Sequence, residues 1–340
     1  MVYYSLPGAA DAPQSNTQET YFMLHATRPR FMVKWLFLLV IGSGVCATAF
    51  SEPREPYLYV LGITQDAGYP QAGCFRPHCM PGWKDKARRL TASSIALINP
   101  DAGTRHIFDA TPHLPDQLYR LEQEAPSDRY DLASFFLTHA HIGHYTGLMH
   151  LGREVMGAKS IAVFAMPRMK TFLEDNGPWS QLVALGNIAL KPLAHDGAVR
   201  LSGGVTVTPF LVPHRDEFSE TVGYRIDGPQ HSAIFIPDID KWHVWDEDIV
   251  ALVRDVDYAL LDATFYADGE IPGRAMSEIP HPFVVESMEL FEPLTDEERS
   301  RIIFIHINHT NPILDRDSDE YREVIERGYR VAHEGMRLPL

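Results

Sequence analysis

Beyond residue 55 the apolar positions fall into short blocks separated by polar turns, and strand-like and helix-like spacings alternate along the chain. Blocks rich in β-branched and aromatic residues at 57–63, 94–99 and 105–109 read as strands. The stretch 115–124 has helical spacing, and Ser134-Phe135-Phe136-Leu137 is an apolar strand that ends at Thr138. Helical patterns recur near 144–157, 167–174 and 179–186. Strands return at 205–212, 222–226 and 232–236, followed by a helix near 246–254 and a strand at 258–262. A helix near 282–292, a strand at 301–307 and a helix near 317–330 complete the pattern. Strand clusters separated by helical blocks, once in each half, predict two packed sheets with helices outside, an α/β or α+β architecture. No linker or solenoid repeat interrupts residues 55–340, which read as one domain.

Residues 1–49 follow another rule. A polar extension leads to Arg28, Arg30 and Lys34, then the apolar run Trp35-Leu36-Phe37-Leu38-Leu39-Val40-Ile41, then small residues ending Ala47-Thr48-Ala49. Basic, apolar and small-residue regions in that order form a secretory signal, with Met32 a candidate start. The apolar run falls short of the roughly 20 residues of a membrane span, so no stable membrane insertion is expected once the signal is cleaved. A periplasmic or secreted protein follows, the alternative being an uncleaved N-terminal anchor.

Composition narrows the partners. The 340 residues carry a formal net charge of −15. Removing residues 1–49 subtracts three bases and two acids, a net of +1, and leaves about −16. Phosphate backbones need a basic surface, so the expected partner is a small-molecule substrate and not nucleic acid. Of three cysteines, Cys74 and Cys79 lie beyond the signal, where they could bind metal or form a disulfide.

The densest chemistry is Thr138-His139-Ala140-His141-Ile142-Gly143-His144, directly after an apolar strand. Side chains alternate along extended backbone, so His139 and His141 face one side before the chain turns at Gly143. Neutral imidazoles converging at a strand end suit zinc and similar ions. Three later strand patterns each deliver one further ligand type: His214, Asp238 and His306.

This set resembles the metallo-β-lactamase superfamily, whose motif H-x-H-x-D-H is followed by a later His, an Asp and a last His. The match spans 57–312. The resemblance implies an αββα sandwich of two mixed sheets with the metal site at one edge. It implies a first metal at His139, His141 and His214, and a second at His144, Asp238 and His306, with Asp238 bridging. Within the superfamily, Leu61-Gly62, Gly68-Tyr69-Pro70-Gln71 and Cys74, with His306-Ile307-Asn308-His309-Thr310-Asn311-Pro312, are similar to the pyrroloquinoline quinone biosynthesis protein B branch. Phosphonate-pathway phosphodiesterases and tRNase Z share parts of the layout.

Two positions depart from that pattern. Gly143 stands where the superfamily has a metal-ligating aspartate. One metal only, a weaker second metal, or a carboxylate supplied by Asp66, Asp216 or Asp240 would each accommodate the change. Arg76 stands where the branch has the middle cysteine of C-x-C-x-x-C. Cys74, Cys79 and His309, with His78 as fourth ligand, would hold a structural zinc, or Cys74 and Cys79 would form a disulfide. The expected activity is hydrolysis of an ester, lactone, lactam or phosphodiester by a metal-activated water, with one or two Zn²⁺ ions at the active site. Asp238 would orient the water or take its proton, with Asp262 and His281 as further catalytic candidates. An iron-dependent oxygenase and a non-catalytic metal-binding protein are the alternatives.

Overall fold

The computed structural model describes residues 55–273 and 275–340, which lie in one compact unit of the chain. The signal expected at 1–49 is outside the described residues. Six strands build most of the first sheet: β1 (Tyr57–Gly62), β2 (Ser94–Asn99), β3 (Thr104–Phe108), β4 (Asp131–Phe136), β5 (Ile161–Ala165) and β6 (Ile188–Pro192). The second sheet is formed by β7 (Val199–Arg200), β8 (Thr206–Leu211), β9 (Val222–Asp227), β10 (Ser232–Ile236), β11 (Tyr258–Asp262), β12 (Ile302–Ile305) and β13 (Arg330–Val331). The last strand, β14 (Arg337–Pro339), returns to pair with β1, giving the order β14-β1-β2-β3-β4-β5-β6.

Each sheet has three antiparallel pairings followed by three parallel ones, so the second half repeats the plan of the first. Parallel pairing needs long return connections, and the helices Leu114–Glu124, Pro167–Asp175, Ile249–Arg254 and Val284–Leu290 lie in four of them. In the first of these, Leu114, Gln117 and Leu121 are buried at helical spacing against the sheet, and Pro115 fits the opening turn.

Three apolar layers result. Leu58, Val60, Leu97, Phe108, Phe136, Tyr224, Phe235, Leu260 and Ile303 fill the space between the sheets. Leu61, Ile98, Ile107, Phe135 and Val163 pack under the helices of the first half, and Ile234, Leu261, Phe304, Met288 and Phe291 under those of the second. Strands covered on both faces read as continuous apolar runs, which is why β2 and β12 are buried at every position. The architecture is the expected αββα sandwich.

Three expectations shift. The helix near 144–157 is a short turn, Ile142–Tyr145, followed by a 3-10 segment, Thr146–Leu151. Its backbone is tied sideways: Ala110 N–H donates to the His144 carbonyl at 2.8 Å and Gly147 N–H to the Ala110 carbonyl at 2.9 Å. Strands β5 and β6 were hidden among helical patterns because each has only five residues. The final helix is shorter than 317–330, running Asp319–Glu326, after which the chain turns into β13. Among the described residues no helix is long and apolar enough to cross a membrane.

Phe136 links this core to the site. Its ring stacks on Phe108 at 5.0 Å and on Phe164 at 4.4 Å, and meets Tyr224 edge-on at 5.8 Å. Phe136→Ala is expected to cost about 3–5 kcal/mol of stability. Chemical denaturation should show a lower midpoint, and a loss under about 1 kcal/mol would contradict the packing described here.

Candidate metal centre

The parallel strands β3, β4, β10, β11 and β12 all end at one edge of the sandwich, and the residues just past those ends meet there. Beyond β4 come His139 and His141, with His144 in the following turn. Beyond β8 comes His214, beyond β10 Asp238, and beyond β12 His306. The sequence expected all six at strand ends, and the fold brings all six together.

They sort into two sets. His139, His141, His214 and Asp238 each offer a ligand atom within 4.8 Å of the others. Asp238 Oδ2 lies 3.3 Å from both His139 Nε2 and His214 Nε2, and 3.9 Å from His141 Nδ1. The second set is His144, His306 and Asp66. Here Asp66 Oδ1 is 3.1 Å from His144 Nε2 and 3.8 Å from His306 Nε2. Asp238 Oδ2 is also 3.8 Å from His144 Nε2, so one carboxylate stands between the sets.

The far nitrogen of every ring in these sets has a partner. His144 Nδ1 is 2.7 Å from Asp109 Oδ2, and His139 Nδ1 is 3.0 Å from Thr138 Oγ1. His141 Nε2 is 2.9 Å from Glu217, His214 Nδ1 3.0 Å from Asp240, and His306 Nδ1 3.0 Å from Thr264 Oγ1. Such outer contacts fix ring orientation and leave the inner nitrogen free to ligate. The inner atoms of the second set confirm the fit. His144 Nε2, His306 Nε2 and Asp66 Oδ1 are buried without a hydrogen-bond partner, a costly arrangement that a cation would relieve. Imidazoles and carboxylates are donors for zinc and for iron alike.

Charge is arranged to match. Burial would raise the Asp238 pKa, but His214, His281 and His139 around it hold the carboxyl well below the usual range. Burial works the same way on Asp66, and His144 and His306 again outweigh it. For His144, burial opposes the charged ring, yet Asp109 and Asp66 lift its pKa well above the ordinary value. His214 rises to about 10 against its burial, through Asp238 and Asp240. His139 falls well below the ordinary value, through burial and the neighbouring His144.

The other candidates find separate places. Asp262 is fully buried and its oxygens are engaged: Oδ1 accepts from Thr264 N–H at 2.8 Å, and Oδ2 from Ile239 N–H at 3.1 Å. It also holds His281, whose Nδ1 sits 2.8 Å from Asp262 Oδ2 and 3.2 Å from Asp238 Oδ1. Asp262 thus acts on His281 and does not line open space. Of the three carboxylates considered for the place left by Gly143, Asp66 reaches the site and Asp240 backs His214. Asp216 accepts from Thr221 Oγ1 at 2.8 Å instead.

Cys74 and Cys79 are joined as a disulfide, the alternative in which neither sulfur is a thiolate ligand. Zinc at this point would require reduced sulfurs, whereupon Cys74, His78, Cys79 and His309 offer ligand atoms within 4.8 Å. A cleft of about 740 Å³ opens beside this disulfide, lined also by Glu270 and Thr310.

Sequence reasoning missed Asp109, Glu217 and Thr264. Only Asp109 carried a signal, as a carboxylate ending an apolar strand.

Comparison with known proteins identifies the family and the fold. The family model described as the beta-lactamase superfamily domain matches residues 104–307. Coenzyme PQQ synthesis protein B of Methylobacterium sp. (strain 4-46) is 27% identical over 83% of this chain and 99% of that protein. The protein of the same name from Xanthomonas oryzae pv. oryzae (strain MAFF 311018) is 26% identical over 83% of this chain and 99% of its own length. The crystal structure of Zn(2+)-bound PqqB from Methylobacterium extorquens superposes with a TM-score of 0.70 at 25% identity, covering 84% of this chain and all of that one. A diphosphatase from the PhnP family shares the fold, with a TM-score of 0.58 at 22% identity over 84% of this chain and 99% of its own. With the matched region covering more than half of its residues and the ligand-bearing strand ends in place, the chain belongs to the metallo-β-lactamase superfamily.

Proposed function

We propose that this protein is a metal-dependent hydrolase that cleaves an ester-, lactone-, lactam- or phosphodiester-type bond in a small molecule outside the cytoplasm. The observation that carries this reading is the pair of ligand sets sharing Asp238, with every histidine ring buttressed from behind. A zinc ion held there would lower the pKa of a water to about 7 and polarise the bond under attack.

The chain's own residues supply the rest. Asp238 stays ionised and orients a water, or takes its proton, with the oxygen turned towards His281. His281 is held through Nδ1 between the Asp262 and Asp238 carboxylates, so that the protonated ring would give a leaving group its other proton, at Nε2. Burial pushes the His281 ring down, but Asp262 and Asp238 raise its pKa on balance, which favours the protonated ring. The acidic chain disfavours nucleic-acid substrates. Export rests on the order of residues 28–49 and is supported by the disulfide, which oxidising compartments favour.

A second reading is favoured by the similarity to the coenzyme PQQ synthesis proteins. It is an oxygen-dependent reaction with iron at the same residues. Elemental analysis of protein purified without added metal, with oxygen consumption followed in parallel, separates the two. Zinc without oxygen uptake supports the hydrolase, and iron with uptake supports the oxygenase.

Two outcomes test the hydrolase directly. His139→Ala should lose bound zinc and lower kcat/KM on any substrate found in an ester and phosphodiester panel by at least about 100-fold. Retained zinc and activity would remove His139 from the site. Asp109→Asn should weaken zinc binding about 10–100-fold in a competition titration while the circular dichroism stays that of the folded protein. An unchanged affinity would mean that Asp109 serves folding alone.

A further inference from the structure

We infer that the second metal position takes its carboxylate from Asp66, on the loop after β1, and that Gly143 is the other half of that exchange. The inference rests on the two-set reading of the site. In the superfamily pattern the carboxylate comes from residue 143's position, beside His144. Here residue 143 has no side chain, and an added Cβ there would lie 2.1 Å from Asp66 Oδ1 and 2.5 Å from Asp66 Cα. Both distances are far inside van der Waals contact. The second involves backbone, so rotating the Asp66 side chain would not relieve it. The Asp66 loop therefore occupies the space that a side chain at 143 would need, and the two arrangements exclude each other.

Asp66 is delivered there by backbone pairing. The extension of β1 bridges across to the chain just past His306: Ile307 N–H donates to the Ile63 carbonyl and Gln65 N–H to the Ile307 carbonyl, each at 2.9 Å. Gly68 N–H then closes a turn on the Gln65 carbonyl at 2.9 Å. One carboxylate oxygen, Oδ2, accepts from the neighbouring Gln65 amide at 3.0 Å. The other, Oδ1, faces His144 Nε2 and His306 Nε2, and all three atoms are buried without hydrogen-bond partners. Pairing with His144 at 3.1 Å would not by itself bring His306 Nε2 to face the same oxygen at 3.8 Å. Three unpartnered donor atoms converging is the geometry of a ligand set.

Zinc equivalents per chain, measured on the full-length protein after dialysis against trace zinc, test this. Asp66→Asn, which keeps the side chain's shape, should hold one zinc fewer than the wild type. Gly143→Ala, which adds a Cβ without a carboxylate, should also lose it, because the added carbon displaces the Asp66 loop. Zinc held elsewhere is common to every variant and drops out of the difference. A wild-type count in Asp66→Asn or in Gly143→Ala overturns the inference. A wild type that binds no zinc at the histidine cluster would instead sink the metal-dependent hydrolase itself.

Discussion

The contact on which the rest of the site depends joins Asp109 to His144. Asp109 is wholly buried just past β3, in a left-handed backbone conformation (φ 65°) that few non-glycine residues adopt. Its carboxylate accepts from Thr138 N–H and Thr138 Oγ1 and faces His144 Nδ1, so a single side chain fixes the end of β4, the turn after it and one ring orientation. Thr138 in turn contacts the His139 ring. Neither histidine could aim its inner nitrogen consistently if this buried anchor were loose. The φ of 64° at His306 carries a similar cost, just past β12, where the second sheet contributes to the second ligand set.

Much of the fold could be read from the apolar blocks, because strands sandwiched between two layers are apolar at almost every position. The antiparallel and parallel order within each sheet could not, since it depends on which distant strands pair. Short elements at the margins, β5, β6, β13 and β14, carry too few residues to stand out against neighbouring helical patterns. The long helix expected after His144 failed for another reason. Cross-links from Ala110 and Gly147 override local spacing, and those links exist only once β3 and β4 are side by side.

The candidate ligands were legible because each follows an apolar run and each is a residue type that metals select. Their supports were not. Glu217 and Thr264 are unremarkable polar residues in sequence, Asp240 stood out only as a carboxylate for the second metal, and only the turn geometry brings the three behind a ring. Gly143 was visible as a departure, but its meaning lay 77 positions earlier, at Asp66. Separation in sequence hides a steric exclusion that separation in space makes plain.

The doubled plan of the sheets has a thermodynamic consequence. His139, His141 and His144 follow strands of the first sheet, whereas His214, Asp238 and His306 follow strands of the second. Each ligand set draws on both, so neither half of the sandwich could complete either set by itself. An ion bound there would be a clasp across the interface between the halves, and separating them would forfeit its binding energy. By mass action, a free ion at a hundred times its dissociation constant would add about 2.7 kcal/mol to the native state. The resistance of such a protein to unfolding would then be set partly by the mineral content of its surroundings.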